Sequence, residues 1–191
     1  MKKIALILAG PLALTFLMSA CTLLPAQTQP TATPEATTAP EATAAETAET
    51  DDTLSFSLTT LTGDTLDQTV FSDNKLIMVN YWATWCGPCV GEIPDLVKIS
   101  KEYADKDFVM IGVLTGDDDI DGAKQFIADQ GVTYPVVLPE AFFLDKADGI
   151  YAIPTTMFFD STGKQVGDTV VGAKSHDDWS GLIDLLLTQV S

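Results

Sequence analysis

The 191-residue chain contains no arginine, a single histidine and only three cysteines. Its ten cations are all lysines, and 27 acidic residues outnumber them, so the formal net charge is -17. A protein that binds nucleic acid gains much of its affinity by neutralising phosphates with basic side chains. We therefore expect no nucleic-acid partner. So acidic a surface is not attracted to anionic lipid either, and we interpret the charge as a source of solubility.

The scarcity of cysteine and histidine restricts the metal chemistry that the chain can support. Cys86 and Cys89 form a C-x-x-C pair, but a structural zinc site needs four ligands and a catalytic site three. The chain has no second cysteine pair, and its one histidine, His176, lies far along the sequence. A c-type haem site requires a histidine directly after the second cysteine, and Val90 stands there. The sequence predicts no metal and no cofactor.

The N-terminal apolar run is too short to indicate a membrane span. A positive start with Lys2 and Lys3 precedes mostly apolar residues 4–17, and Ser19-Ala20-Cys21 follows. This is the layout of a secretory signal, and small residues before a cysteine resemble a bacterial lipobox, with Met18 where leucine is usual. We predict a lipoprotein signal peptide over 1–20 and lipidation of Cys21, which would anchor the chain to the bilayer. The alternative is an ordinary signal peptide, which would leave Cys21 as a free thiol.

Residues 22–52 contain no aromatic side chain and are rich in Thr, Ala, Pro and Glu. Such a composition buries too little apolar surface to offset the entropy of the chain. We predict that residues 21–52 are the anchor cysteine and a disordered tether, and that the folded domain spans 53–191.

Strand and helix patterns alternate along the predicted domain. Strands are predicted at 54–58, 65–70, 76–82, 108–114, 136–138, 157–159 and 165–171, and helices at 87–103, 123–130, 140–147 and 177–189. The nearly continuous apolar run over 76–82 is typical of a central strand that is covered on both faces. The alternation indicates an α/β fold.

The C-x-x-C pair lies between this central strand and a predicted helix. Cys86 would occupy the first turn of the helix, where unpaired N–H groups and the positive end of the helix dipole favour an anion. The thiolate is such an anion and is the reactive form of cysteine. Cys89 lies one turn later, close enough to form a disulfide. Because a structural disulfide around so small a loop adds little stability, the sequence favours a redox pair.

Residues 81–89, with Ile153-Pro154-Thr155 downstream, resemble the thioredoxin superfamily. The pattern Trp-Cys-x-Pro-Cys-x-x-Glu-x-Pro, which includes Glu92 and Pro94, is similar to the TlpA/ResA-like branch of membrane-tethered bacterial thiol-disulfide oxidoreductases. The resemblance covers about residues 54–190. It implies a thioredoxin-like fold, in which helices flank a central mixed β-sheet, with extra N-terminal strands and a central insertion between Phe108 and Tyr134.

The resemblance also implies roles for individual residues. Cys86 is expected to be the attacking thiolate and Cys89 the resolving thiol. Pro154 is expected to be a cis-proline, and the preceding Ile153 is expected to offer backbone atoms to a bound substrate strand. The alternative for Pro154 is an ordinary trans-proline at the start of a strand.

Glu92, one turn after Cys89, is expected to be the carboxylate that modulates the two thiols. Ordinary thioredoxins carry a buried acid where this chain has Asn80. The alternative for Glu92 is a solvated position on the helix surface. Trp85, Gly87 and Pro88 are expected to contact the substrate.

The Gly-Pro dipeptide between the cysteines matches that of reducing thioredoxins, whose potential is about -270 mV against about -120 mV for the oxidant DsbA. We therefore predict a tethered extracytoplasmic reductase of disulfides in exported proteins, for example in cytochrome c maturation or methionine sulfoxide reductase recycling. The resemblance implies a CcdA-type membrane protein as electron donor. Two alternatives remain: an oxidant or isomerase of exported proteins, and a redox-inert binding lipoprotein. A peroxidase of the redoxin kind is disfavoured because such enzymes lack the C-G-P-C pair.

Overall fold

The computed structural model describes residues 54–190, so the predictions for residues 1–20, Cys21 and the tether lie outside the described residues. The strands are β1 (Ser57–Thr59), β2 (Thr65–Asp67), β3 (Leu76–Trp82), β4 (Phe108–Leu114), β5 (Val136–Val137), β6 (Thr155–Asp160) and β7 (Gln165–Val171). The helices are α1 (Thr69–Ser72), α2 (Gly87–Glu102), α3 (Ile120–Asp129), α4 (Ala141–Ala147) and α5 (His176–Leu187). Within the described part of the chain, no helix combines the length and apolar character that a membrane crossing requires.

Five strands form the central sheet in the order β5-β4-β3-β6-β7. β3 runs parallel to β4 and antiparallel to β6, so the sheet is mixed, as predicted. β1 and β2 form a separate antiparallel pair before it. The thioredoxin-like α/β fold with extra N-terminal strands is therefore confirmed, and the segment from Phe108 to Tyr134 holds β4 and α3.

Both faces of the sheet are covered, which explains the continuous apolar run of β3. Side chains alternate between the faces of a strand: Leu76 and Met78 join one core cluster, and Ile77 and Val79 join the other. The first cluster contains side chains of α2, α3 and α5, and the second contains side chains of β2, α1 and α4. Every residue of β3 is buried, so the strand that leads to the cysteines is rigidly placed.

The N-terminal strands differ most from their predictions. The first strand covers 57–59 instead of 54–58, and the second ends at Asp67 instead of residue 70. The carboxylate of Asp67 accepts hydrogen bonds from the backbone N–H and the hydroxyl of Thr69. This local bonding turns the chain into the short helix α1 and so ends the strand.

The site forms at one edge of the sheet because of strand direction. The parallel strands β3 and β4 both end at this edge, and the antiparallel strand β6 begins there. The connections after β3, after β4 and before β6 therefore meet at the carboxyl ends of the parallel strands, where α/β proteins generally place their binding sites.

Candidate active site

Cys86 and Cys89 form a disulfide at the start of α2. Their sulfur atoms are 2.07 Å apart and their Cα atoms 5.2 Å apart. Cys86 is the N-cap residue of α2, and its Sγ accepts a hydrogen bond from the backbone N–H of Cys89 at 3.3 Å. Cys86 is 5% exposed, whereas Cys89 is fully buried. An incoming partner can therefore reach only the sulfur of Cys86.

The connection before β6 lies opposite the disulfide. The Ile153–Pro154 peptide bond is cis, as predicted, and the carbonyl oxygen of Ile153 is 3.6 Å from Cys86 Sγ. Two hydrogen bonds hold this connection in place: the Thr155 hydroxyl donates to the Ala152 carbonyl at 2.7 Å, and the Gly172 N–H donates to the Pro154 carbonyl at 2.8 Å. Backbone atoms next to the reactive sulfur are thereby presented in a fixed position.

A groove of about 640 Å³ runs between these two segments. It is lined by Trp85, Cys86, Gly87, Pro88, Thr115, Gly116, Ala147, Ile150, Tyr151, Ala152 and Ile153. None of these side chains carries a charge. Four of the five predicted substrate-contact residues line this disulfide groove, while Pro154 is buried behind it.

Two exposed aromatic side chains belong to the lining of the disulfide groove. Trp85 is 66% exposed, and its indole N–H donates to the Gly116 carbonyl at 2.7 Å, which fixes the ring. Tyr151 is 87% exposed. Large exposed aromatic side chains beside a groove mark an interaction surface. Trp85 was predicted from the sequence, whereas Tyr151 was not, because its only signal was an aromatic residue shortly before Ile153-Pro154.

A pair of hydrogen bonds joins the connections that follow β3 and β4. The Asp117 carboxylate accepts from the backbone N–H of Thr84 at 2.9 Å and from its hydroxyl at 2.5 Å. Partial burial would raise the pKa of Asp117, but the hydrogen bonds from Thr84 and from the Asp119 N–H outweigh it and lower the pKa. This contact, which the sequence analysis missed, fixes the segment that carries Trp85.

Glu92 is buried on α2, one turn after Cys89, so its interpretation as a solvated surface residue is wrong. Its carboxylate accepts from the Asn80 amide at 3.1 Å and from the Lys174 backbone N–H at 3.2 Å. The same Asn80 amide donates to the Thr156 hydroxyl at 3.0 Å. Burial raises the pKa of Glu92, although the hydrogen bonds from Lys174 and Asn80 oppose the shift. The Trp179 indole N–H also acts to lower the pKa of Glu92, although its geometry falls short of a hydrogen bond.

Among residues 54–190, no three His, Cys, Asp or Glu side chains are grouped so that they could hold a metal ion. A disulfide at a helix N-terminus, with one accessible sulfur beside an uncharged groove on this fold, defines a thiol-disulfide oxidoreductase. The family model described as Redoxin matches residues 34–183, and the chain belongs to that family.

Comparison with individual proteins supports the same class. Over 132 residues the chain is 32% identical to the thioredoxin-like protein YneN of Bacillus subtilis, covering 68% of this chain and 75% of YneN. Over 109 residues it is 27% identical to the thiol-disulfide oxidoreductase ResA of Bacillus thuringiensis, covering 57% of this chain and 62% of ResA, which is under two thirds of that relative.

A solved structure from Chlorobium tepidum, a thiol:disulfide interchange protein of the thioredoxin family, is 30% identical with a TM-score of 0.63. The match covers 71% of this chain and 94% of that chain. The resemblance to the TlpA/ResA-like branch is confirmed by these relatives.

Proposed function

We propose that this thiol-disulfide oxidoreductase works as a reductase outside the cytoplasmic membrane, on the disulfides of exported proteins. The environment of Cys86 carries the proposal. Its sulfur receives one backbone N–H at the helix N-terminus, and no cationic side chain lines the groove around it. Strong oxidants such as DsbA owe their potential to a stabilised reduced form with a very low thiol pKa. A thiolate without a cationic neighbour is less stabilised, which favours electron donation.

The reaction follows from the unequal access to the two sulfurs. The Cys86 thiolate attacks one sulfur of a partner disulfide, and the other partner sulfur leaves as a thiolate. The Cys89 thiolate then attacks Cys86 Sγ, which re-forms the Cys86–Cys89 disulfide and releases the second partner sulfur. Two electrons pass from the cysteine pair to the partner. The disulfide groove and the Ile153 carbonyl hold the partner strand during the exchange.

Glu92 is the proposed acceptor of the proton that Cys89 loses before it attacks. The two residues lie one turn apart on the buried side of α2, where residues at this spacing are neighbours. Glu92 is the only buried acidic residue of the described chain. The raised pKa of its carboxyl, caused by burial, makes it a better proton acceptor than an ordinary solvated glutamate.

The location of the enzyme and its partners are proposed from the sequence. Lipidation of Cys21 would tie the domain to the membrane through the 21–52 tether, which would let it reach exported clients such as apocytochrome c or methionine sulfoxide reductases. A CcdA-type membrane protein would return the enzyme to its dithiol form. In cells, a Cys21→Ser variant should move from the membrane fraction to the soluble fraction. Retention of that variant in the membrane fraction would refute anchoring through Cys21.

Trapping of the mixed disulfide tests the reductase directly. A Cys89→Ser variant of the full chain should accumulate disulfide-linked complexes with exported proteins through Cys86, and their masses would identify the clients. The matched Cys86→Ser variant should trap none, because Cys89 is buried. If Cys86→Ser left the biological role intact, the protein would be a redox-inert binding protein on this scaffold.

A further inference from the structure

A second groove of about 560 Å³ adjoins the disulfide groove. The linings of the two grooves share Ile150 and the exposed Tyr151, so the grooves adjoin at these two residues. The far end of this second groove is formed by the outer strand β7, including Gln165, Thr169 and Val171. No part of the redox chemistry requires this extension.

The second groove exists because α4 covers only part of one sheet face. The Tyr81 hydroxyl donates to the Phe143 carbonyl at 2.8 Å, which holds α4 over the central strands. On this face of the sheet α4 does not reach the edge strand β7, whose last residue Val171 is 47% exposed, whereas Val166 and Val170 of the same strand pack against the core cluster that contains α5. An uncovered edge strand offers backbone groups and side-chain pockets to an extended polypeptide.

The charges of the two grooves differ. The disulfide groove has no charged side chain in its lining, whereas Asp145, Lys146 and Asp148 line the second groove. The Lys146 ammonium lies 5.2 Å from the centre of the Phe142 ring, a cation–π contact. Within residues 54–190, neither Asp145 nor Asp148 forms an ion pair. The two carboxylates are thus available to a cation that arrives with the partner.

We infer that the second groove binds the segment of the partner polypeptide that flanks its target cysteine, with preference for a segment that carries lysine or arginine. The cysteine lies against Cys86 in the uncharged groove, and the flanking segment passes Tyr151 towards β7. This deepens the proposed function and rests on it, since the segment is that of a protein whose disulfide the enzyme reduces. The position of the second groove next to the disulfide groove and the two carboxylates in its lining, Asp145 and Asp148, favour an extended basic segment as the occupant.

Peptides with a single cysteine test the inference in a single-turnover reaction with the reduced protein. In one peptide a run of lysines flanks the cysteine, and in the comparison peptide a run of glutamines does. The cysteine of each peptide is supplied as a mixed disulfide with thionitrobenzoate. The Cys86 thiolate of the reduced protein attacks the peptide sulfur and thionitrobenzoate leaves as a coloured thiolate. Cys89 then displaces the peptide thiol and closes the protein disulfide. Each rate constant is divided by that for dipyridyl disulfide, an uncharged probe too small to span both grooves.

The variant Asp145→Asn/Asp148→Asn should lower this ratio about fivefold for the lysine peptide, since each exposed ion pair contributes a modest part of binding. The ratio for the glutamine peptide should stay close to the wild-type value, and high salt should remove the difference for the lysine peptide. The control Asp105→Asn/Asp129→Asn removes two exposed acids elsewhere on the surface and should leave every ratio at the wild-type value. Equal losses in both double variants, or no loss in either, would overturn the inference.

A steric variant tests the groove without relying on charge. Thr169→Trp places a large ring over the second groove from an exposed position of β7, where a bulky aromatic side chain suits a strand. It should lower the ratio for both peptides, and unchanged ratios would overturn the inference while the reductase proposal stands. A reduced protein that leaves even dipyridyl disulfide intact would refute the reductase proposal, and the inference with it.

Discussion

At the scale of single residues, the buried pair of Asn80 and Glu92 distinguishes this site from that of an ordinary thioredoxin. Asn80 occupies the strand position where thioredoxins carry an acid, and its amide donates to the Glu92 carboxylate. An amide cannot accept the proton of a thiol, so the proton acceptor that we propose, Glu92, lies on α2 instead of on the strand. The Lys174 N–H and the Asn80 amide hold the carboxylate in place.

The variant Glu92→Gln should slow the attack of Cys89 on the mixed disulfide about tenfold at neutral pH, because the general base is lost. The difference should shrink as the pH approaches about 8.5, where an ordinary thiol ionises without help. Rapid-quench measurement of the lifetime of the mixed disulfide checks both expectations. An unchanged lifetime at all pH values would remove Glu92 from the proton path.

The same variant should reveal the cost of burying the carboxylate. The pKa of Glu92 is raised in the folded protein, so this residue favours folding at low pH and loses that contribution as the pH rises through its raised pKa. The free energy of unfolding of Glu92→Gln, measured relative to that of the wild type, should therefore increase from acid to neutral pH. Urea denaturation at several pH values measures the trend, and a difference that does not change with pH would contradict it.

At the scale of secondary-structure elements, the site depends on contacts between connections that are distant in sequence. Asp117, after β4, bonds to Thr84, after β3, and thereby fixes the segment with Trp85. α2 and α5 are joined near the other end of α2, where the His176 ring lies 2.8 Å from the Glu102 carboxylate. The His176 backbone N–H also donates to Asp95 on α2.

Replacement of Asp117 by alanine should lower the free energy of unfolding by about 1–3 kcal/mol, since it leaves the Thr84 N–H and hydroxyl without their charged acceptor. It should also weaken the reaction with protein substrates by loosening the Trp85 side of the disulfide groove. Denaturation by urea and insulin reduction measure the two effects. The control is Asp105→Ala, an exposed acid away from the site, and equal effects of the two variants would contradict the role of Asp117.

His176→Gln should change how stability depends on pH. Hydrogen bonds to Asp177 and Glu102 raise the pKa of His176, so its contribution is fully present below about 6.5 and disappears as the pH rises through the raised value. The wild type should exceed the variant in stability at about pH 5.5 and match it at about pH 9. The control Lys75→Gln breaks the exposed pair with Asp107, which contains no histidine, and should give a difference that does not change with pH. A constant difference for His176→Gln as well would contradict the account.

At the scale of the whole molecule, the sequence predicted what depends on local pattern. The apolar run of β3, the start of α2 at the cysteines and the cis-Pro154 implied by the family resemblance were all confirmed. The contact between Glu92 and Lys174 was not predictable, because it joins residues 82 positions apart through the packing of α5 on α2. The position of Tyr151 beside two grooves was not predictable for the same reason, since it depends on where α4 ends over the sheet.

The equilibrium potential of the Cys86–Cys89 couple decides whether the protein donates electrons, as we propose, or accepts them. The purified protein is equilibrated with defined ratios of reduced and oxidised dithiothreitol or glutathione, and its dithiol fraction is measured by thiol alkylation and mass. Because Gly87-Pro88 separates the cysteines and no cation lines the disulfide groove, we expect the potential to equal that of thioredoxin, about -270 mV. A value near the about -120 mV of DsbA would contradict it and would make the protein an oxidant of exported proteins.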